Sequence, residues 1–166
     1  SILIICLSVN LAFSNTSQTK IDSIINNIED YVASVQGMRT IGEDDLLLYV
    51  KTTPSNLVKA KIYNALCWKY FSSDPPMAMK YAKLQYALVE HLNDTNAIIN
   101  TYDNLAWLHR GFSNLKVSIK YMLKALKLKE SIGDKAGVSI SLSGLAGNYY
   151  LLKNYSLSLN YFNKTL

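Results

Sequence analysis

The sequence is poor in the residues that build small reactive sites, with two cysteines, two histidines, seven glycines and three prolines among 166 residues. So few cysteines and histidines disfavour a structural zinc site or a histidine-rich metal site. The scattered glycines form neither a phosphate-binding loop nor a dinucleotide-binding fingerprint. Low glycine and proline contents also argue against a collagen-like or disordered chain. What remains is an ordinary packed chain, either one domain or a few stacked repeats.

Candidate catalytic residues are equally scarce. General acid–base and nucleophilic catalysis need a base within reach of a nucleophile, or two carboxylates that face each other. His91 is placed at the exposed end of a predicted helix, and His109 occupies a packing position. The acidic run of residues 43–45 is placed at a helix N-terminus, which attracts negative charge. We therefore predict no enzymatic activity for this segment, no cofactor and no metal site.

Residues 1–14 are uncharged and largely apolar. The run is shorter than the roughly 20 residues of a membrane-spanning helix, and its length is typical of the apolar region of a secretory signal peptide. The small residues Ala12 and Ser14 place the cleavage site after Ser14, and we expect the chain to begin inside this signal. The alternative is a buried first helix. Lipidation at Cys6 is disfavoured, because Ile5 stands where a small residue is required.

A period of about 40 residues runs through the rest of the sequence. Five positions in residues 78–94 hold the same residue 40 positions later: Lys80, Tyr81, Leu88, Glu90 and Asp94. Trp68 and Trp107 align at 39, so the first repeat is one residue shorter. Such a period predicts stacked repeats. We place three of them at about 55–94, 95–134 and 135–166, with the last truncated, and we expect the chain to be a fragment.

Each repeat contains two predicted helices. Apolar residues recur at three- and four-residue spacing on both sides of a central break, and no segment alternates with a period of two. Asp74 followed by Pro75 is typical of a helix start. Gly111 and Gly133 are expected to end helices, with Ser113 or Asn114 capping the helix that follows Gly111. The sequence therefore predicts an all-α stack of antiparallel helix pairs.

Residues 19–53 predict a less regular N-terminal helical unit. A helix over residues 19–36 begins with Thr19 and Asp22, which are spaced as a capping box. A short second helix from Asp44 to Thr52 ends before a proline. An atypical unit is expected here, because the first repeat of a stack must turn a polar face to water.

These repeats resemble tetratricopeptide repeats, in the variety of about 40 residues that is common in bacterial signalling proteins. In the second repeat the family pattern is met by Tyr102, Leu105, Ala106, His109, Ser118, Met122 and Ala125. In the third it is met by Leu142, Leu145, Ala146, Tyr149, Ser158, Phe162 and Thr165. In the first it is met by Tyr63, Leu66, Cys67, Tyr70, Ala78 and Ala82, with Gln85 in place of the final alanine. The resemblance implies a right-handed superhelix.

The order of an exported N-terminus, a short helical unit and 40-residue repeats is similar to the sensor region of Bacteroidetes-type histidine kinases and regulators. The resemblance implies a non-catalytic protein–protein interaction scaffold on the periplasmic side of the inner membrane, as part of a two-component signal-transduction protein. The partner would be a polypeptide or the protein's own downstream domain. Attachment to the membrane would come from segments outside this fragment.

The family binds peptides on the concave face, through non-core positions of each repeat's first helix. Carried over by position, this inner surface consists of Lys61, Asn64, Trp68, Phe71, Asn100, Asp103, Trp107, Arg110, Ile140, Ser143, Gly147 and Tyr150. The two tryptophans either line the groove as interface anchors or pack between repeats. They stand where relatives that hold a chaperone's C-terminal carboxylate have asparagine, so chaperone binding is not predicted.

Basic side chains are concentrated in the repeats. Residues 54–166 carry fourteen basic and six acidic side chains, whereas residues 19–53 carry three and six. Four lysines follow one face of a predicted helix: Lys116, Lys120, Lys124 and Lys127. Such a stripe either keeps a solenoid soluble or follows phosphates, and the scarcity of arginine weakens the second reading. The alternative function is a cytosolic regulator that binds nucleic acid through this surface or through a DNA-binding output domain.

Overall fold

The computed structural model of the protein describes residues 42–165. This part of the chain consists of helices joined by short irregular connections, and it contains no strands. Seven helices are present in it: α1 (Glu43–Thr52), α2 (Asn56–Tyr70), α3 (Pro75–Val89), α4 (Thr95–Gly111), α5 (Leu115–Ser131), α6 (Lys135–Leu151) and α7 (Tyr155–Asn163). None of these seven is long and apolar enough to cross a membrane. The predicted signal at 1–14 and the predicted helix at 19–36 lie outside the described residues.

The chain divides into two compact bodies after Thr52. In the first, α1 starts with three acidic residues, Glu43, Asp44 and Asp45, whose charges are favourable near the positive end of the helix dipole. At its other end the Thr52 hydroxyl donates to the carbonyl of Tyr49 at 3.1 Å. The short helix predicted from Asp44 to Thr52 is therefore present, one residue longer at its start.

The second body contains three helix pairs, α2 with α3, α4 with α5, and α6 with α7. Each of these six helices packs against the next in sequence, and α2 also packs against α4. Since the two helices of a pair are joined by only three or four residues, they run antiparallel. The predicted all-α stack of helix pairs is confirmed for this part of the chain, and the handedness of the superhelix stays a prediction.

The repeat is visible in the side-chain packing. A ring near the end of each pair's first helix stacks on a tyrosine of its second helix in all three pairs. The ring centroids are 6.0 Å apart in Tyr70–Tyr81, 5.8 Å in His109–Tyr121 and 5.4 Å in Tyr149–Tyr161. The partners recur at the 39- and 40-residue steps, so the spacing found in the sequence corresponds to one repeated contact.

Helix starts follow the same step. Ser55, Asp94 and Asp134 stand before the first helix of each pair, and each side chain accepts from the backbone N–H three residues on, at 3.3, 2.8 and 2.8 Å. Asp74 caps α3 in the same way at 3.0 Å, as its position before Pro75 predicted. Such caps contribute about 1 kcal/mol each by satisfying a free N–H group.

The turn inside the second pair differs in part from expectation. α4 ends at Gly111 as predicted, but the left-handed residue of the turn is Ser113, with φ of 60°. Asn114 stands before α5 without a side-chain capping bond. Lys153 has φ of 59° at the equivalent position of the third pair, so the turn geometry repeats although neither residue is glycine. Gly133, with φ of 72°, ends the second repeat as predicted.

The interior of the second body is built from the leucines and small residues of the repeat. Leu66, Leu105 and Leu145 occupy one repeat position and are all buried, as are the neighbouring Cys67 and Ala106. Small residues at these positions let helices approach closely, and the leucines fill the space between pairs. The predicted leucine and small-residue positions of the first helices therefore form the core, whereas Tyr102 and His109 are only partly buried.

Cys67 provides a probe of this core. Its thiol is fully buried, and burial raises the pKa of Cys67 to about 12, so the reactive thiolate is rare in the folded protein. In a Cys6→Ser variant at about pH 8, we expect a thiol reagent to modify Cys67 only as fast as the stack opens. Urea should raise the rate in parallel with loss of helicity. Fast modification without denaturant would place Cys67 outside the core.

Candidate functional site: the inner surface

The twelve inner-surface residues lie on or directly after α2, α4 and α6, four from each, and none of them is in the closed interior. Six are exposed: Lys61, Trp68, Asn100, Ile140, Ser143 and Tyr150. The others are partly buried: Asn64, Phe71, Asp103, Trp107, Arg110 and Gly147. The positions carried over from the family resemblance are therefore all at least partly exposed.

Half of these residues meet at two adjoining clefts. The first cleft, of about 290 Å³, is lined by Trp107, Arg110, Ser139, Ile140, Ser143, Gly144 and Gly147. The second, of about 350 Å³, is lined by Arg110, Ser143, Ala146, Gly147, Tyr150, Leu151, Ser158 and Phe162. Arg110, Ser143 and Gly147 belong to both. The clefts thus form one channel from α4 across α6 to α7, with Arg110 at its middle.

The shape of this channel follows from a change of residue at one repeat position. Trp68, Trp107 and Gly147 are equivalent, so the third repeat has no side chain where the first two have tryptophan. The guanidinium of Arg110 extends into that space, since a Cβ placed on Gly147 would lie 2.9 Å from both of its terminal nitrogens. Arg110 also lies against Trp107, 5.5 Å from its ring centroid, in a cation–π contact.

The two tryptophans differ in their surroundings. Trp68 is 44% exposed and stacks on Phe71 with ring centroids 5.1 Å apart. Trp107 is half-buried, packs against the core cluster that contains Leu142 and Leu145, and lines the first cleft with its remaining surface. Trp68 therefore lies on the surface, whereas Trp107 belongs to both groove and core.

Asn64 takes part in a polar bridge between repeats. The side-chain amide of Asn104 donates to Asn64 Oδ1 at 2.7 Å and to Gln85 Oε1 at 3.1 Å, which joins α2, α3 and α4. Asn104 and Gln85 are almost fully buried, so these bonds satisfy groups that would otherwise be costly to remove from water. Asn64 thus holds neighbouring repeats together as well as facing the inner surface.

Asp103 forms an ion pair with Lys129, with Oδ2 at 2.7 Å from Nζ. Lys129 is almost fully buried and also donates to Ser141 at 3.0 Å, so its ammonium joins α4, α5 and α6. Burial raises the pKa of Asp103, and the attraction of Lys129 offsets only part of that rise. Asp103 is therefore held by the repeat body, and its charge is already compensated.

His109 lies outside the clefts, in a cluster of aromatic rings. It stacks on Tyr121, which also contacts Tyr102 and Tyr86, with centroids 5.9 and 6.3 Å away. Burial and the nearby Lys83 lower the pKa of His109. A hydrogen bond with Glu90, and burial, raise the pKa of Tyr86 to about 12. The lowered pKa favours the neutral form of His109 near pH 7, where Tyr86 is neutral as well, which suits their packing role.

The basic stripe on α5 is only partly free. Lys116, Lys120 and Lys127 are exposed, but Lys124 is folded over Tyr102, with its ammonium 5.0 Å from the ring centroid. The stripe therefore presents three extended lysines and one that is held by a tyrosine ring.

Several of these residues carried a signal in the sequence that the period alone did not reveal. Asn104, Lys129 and Asn148 are polar, but equivalent positions in other repeats hold Ala65, Val89 and Leu108. A polar residue at a position that is apolar elsewhere in the array indicates a buried bond, and Asn148 makes one to Ser118 at 2.8 Å. Gln85, in place of the family's alanine, is the same kind of signal.

The chemistry of the channel suits recognition of an extended chain. Two apolar clefts flank one guanidinium, and the space beside Gly144 and Gly147 is filled by Met122 and Arg110 respectively. No group of three metal-binding side chains is found among residues 42–165. Asn100 and Lys61 are exposed outside both clefts.

Comparison with known proteins adds no family to this description. A scan against protein-family models gave no match, and a search of curated proteins found none either.

Proposed function

We propose that this protein is a non-catalytic helical-repeat scaffold of the tetratricopeptide type that binds an extended polypeptide on its inner surface. The observation that carries the proposal is the channel of two adjoining clefts, which joins inner-surface residues of two consecutive repeats. Apolar pockets for side chains, exposed aromatic rings and a few placed polar groups are features that binding sites use. An extended segment fits this channel better than a compact small molecule, because the clefts are open and continuous.

The setting we propose is the sensor arm of a membrane-anchored two-component signalling protein, exported to the periplasmic side. The resemblance of the repeats and the apolar pattern of residues 1–14 support this setting. Coupling would be mechanical: a polypeptide that fits one curvature of the stack better shifts the population toward it, and each repeat passes the change to its neighbours.

The tryptophans test the groove. We expect Trp68→Ala to leave stability almost unchanged and Trp107→Ala to cost about 2 kcal/mol, because only Trp107 packs on the core. The double variant should bind peptides that were selected for binding to the unmodified protein more than about tenfold less tightly, since tryptophans are frequent binding hot spots. Circular dichroism checks folding, and fluorescence anisotropy measures affinity.

The control for this experiment is a Lys116→Gln/Lys120→Gln double variant on the exposed stripe of α5. It should bind the selected peptides as the unmodified protein does. Unchanged affinity in a folded tryptophan double variant contradicts the groove proposal. If the lysine variant instead loses salt-sensitive retention on a polyanion column, the basic surface is the binding site and the nucleic-acid alternative is favoured.

A further inference from the structure

Arg110 is a charged side chain in the middle of the channel. Between Gly42 and Thr165 no carboxylate pairs with its guanidinium, and the contact shown is with the ring of Trp107. A guanidinium keeps its charge at any ordinary pH and presents a planar row of donors. Because no carboxylate among residues 42–165 engages these donors, they are available to a ligand.

The guanidinium lies against the ring of Trp107 and fills the space beside Gly147. Trp107 supports one side of it, and the absent side chain of Gly147 provides the space on the other. Arg110 is also partly buried, so its charge is less screened than that of a fully exposed lysine. This arrangement positions a donor in advance, which reduces the entropy lost on binding.

The charges around Arg110 favour a negatively charged ligand. Asp103 is the one acidic residue among the inner-surface positions, and Lys129 already pairs with it at 2.7 Å. The repeats carry fourteen basic and six acidic side chains in residues 54–166, so their long-range field also attracts anions. Nothing among these inner-surface groups therefore repels a carboxylate that approaches Arg110.

We propose that Arg110 recognises an Asp or Glu side chain that is flanked by apolar residues within a bound polypeptide. The acid is internal to the segment because Arg110 lies between two clefts that are lined with apolar side chains. These are Ile140 and Trp107 in the first cleft, and Tyr150 and Phe162 in the second. A chain terminus at Arg110 would leave one cleft empty. This inference rests on the proposed function and assigns its ligand class.

The test uses two labelled peptides, acetylated and amidated, that differ only in a central Leu-Glu-Leu or Leu-Gln-Leu. The unmodified protein should bind the glutamate peptide about tenfold more tightly, since a charge-assisted pair is about twice as strong as a neutral hydrogen bond. Arg110→Gln should abolish this preference, and Arg110→Lys should retain part of it. Lys116→Gln, which removes an exposed charge from α5, should leave the ratio unchanged.

Gly147→Ala offers a variant without any change of charge. Its methyl group would displace the guanidinium, so the glutamate preference should fall, while alanine in a helix favours folding. A peptide with the glutamate moved to a free C-terminus should bind less tightly than the internal one. Tighter binding of that peptide would overturn the assignment of an internal acid.

The outcomes separate this inference from the groove itself. Equal binding of both peptides, lost in the tryptophan double variant, overturns the role of Arg110 and leaves the groove in place. A glutamate preference that survives Arg110→Gln also overturns it, because the acid is then recognised elsewhere. Failure of both peptides to bind contradicts the groove and the role of Arg110 together.

Discussion

Replacing Asp103 with alanine is expected to lower the free energy of unfolding by about 3 kcal/mol, although Asp103 lies at the edge of the inner surface. The substitution leaves the buried ammonium of Lys129 with Ser141 as its remaining hydrogen-bond partner. Because burial already raises the pKa of Asp103, the intact pair contributes little by itself. The cost of the variant comes from isolating Lys129, and urea unfolding followed by circular dichroism measures it.

Two further variants show whether this explanation is correct. A double variant, Asp103→Leu with Lys129→Met, should recover most of the lost stability, since apolar residues of similar size often replace a buried ion pair at little cost. Lys127→Met, at an exposed position of the same helix, should change stability by no more than about 0.5 kcal/mol. A small effect of Asp103→Ala alone would show that Lys129 reaches water in solution.

Leu105→Ala is the second substitution with a large expected effect, a loss of about 3 kcal/mol. Leu105 is 2% exposed and belongs to the middle pair, which has a neighbouring pair on each side. Removing its branched side chain leaves a cavity that the surrounding helices cannot close. Urea denaturation compares this variant with Leu123→Ala, whose side chain is 39% exposed and which should lose about 0.5 kcal/mol. Equal losses would contradict the placement of Leu105 between the pairs.

The helix pairs could be predicted from the sequence because their determinants are local or periodic. Asp74 before Pro75 determines where α3 begins, and Leu66, Leu105 and Leu145 mark the buried face at a constant step. The left-handed turns could not be predicted from composition. Ser113 and Lys153 adopt positive φ because the short connection requires it, even though neither is glycine.

The inner surface was predictable as a set of positions but not as a binding site. The family resemblance proposes which positions form this surface, yet the channel depends on the direction that Arg110 takes across Gly147. Likewise, the pairing of Asp103 with Lys129 joins residues 26 apart on different helices, and no local charge pattern specifies it. Such contacts depend on how helices are placed in three dimensions, which the period alone does not give.

Whether the helix pairs stack can be measured by nuclear Overhauser contacts in the labelled protein. We expect cross-peaks between the Trp107 ring and the α-protons of Gly144. The ring lies close to this glycine, since a Cβ atom built on Gly144 would be 3.6 Å from it. Contacts between Tyr70 and Tyr81 serve as the reference within one pair. Observing the reference contacts without those from Trp107 to Gly144 would mean that the pairs fold without stacking, and the inner surface would not exist.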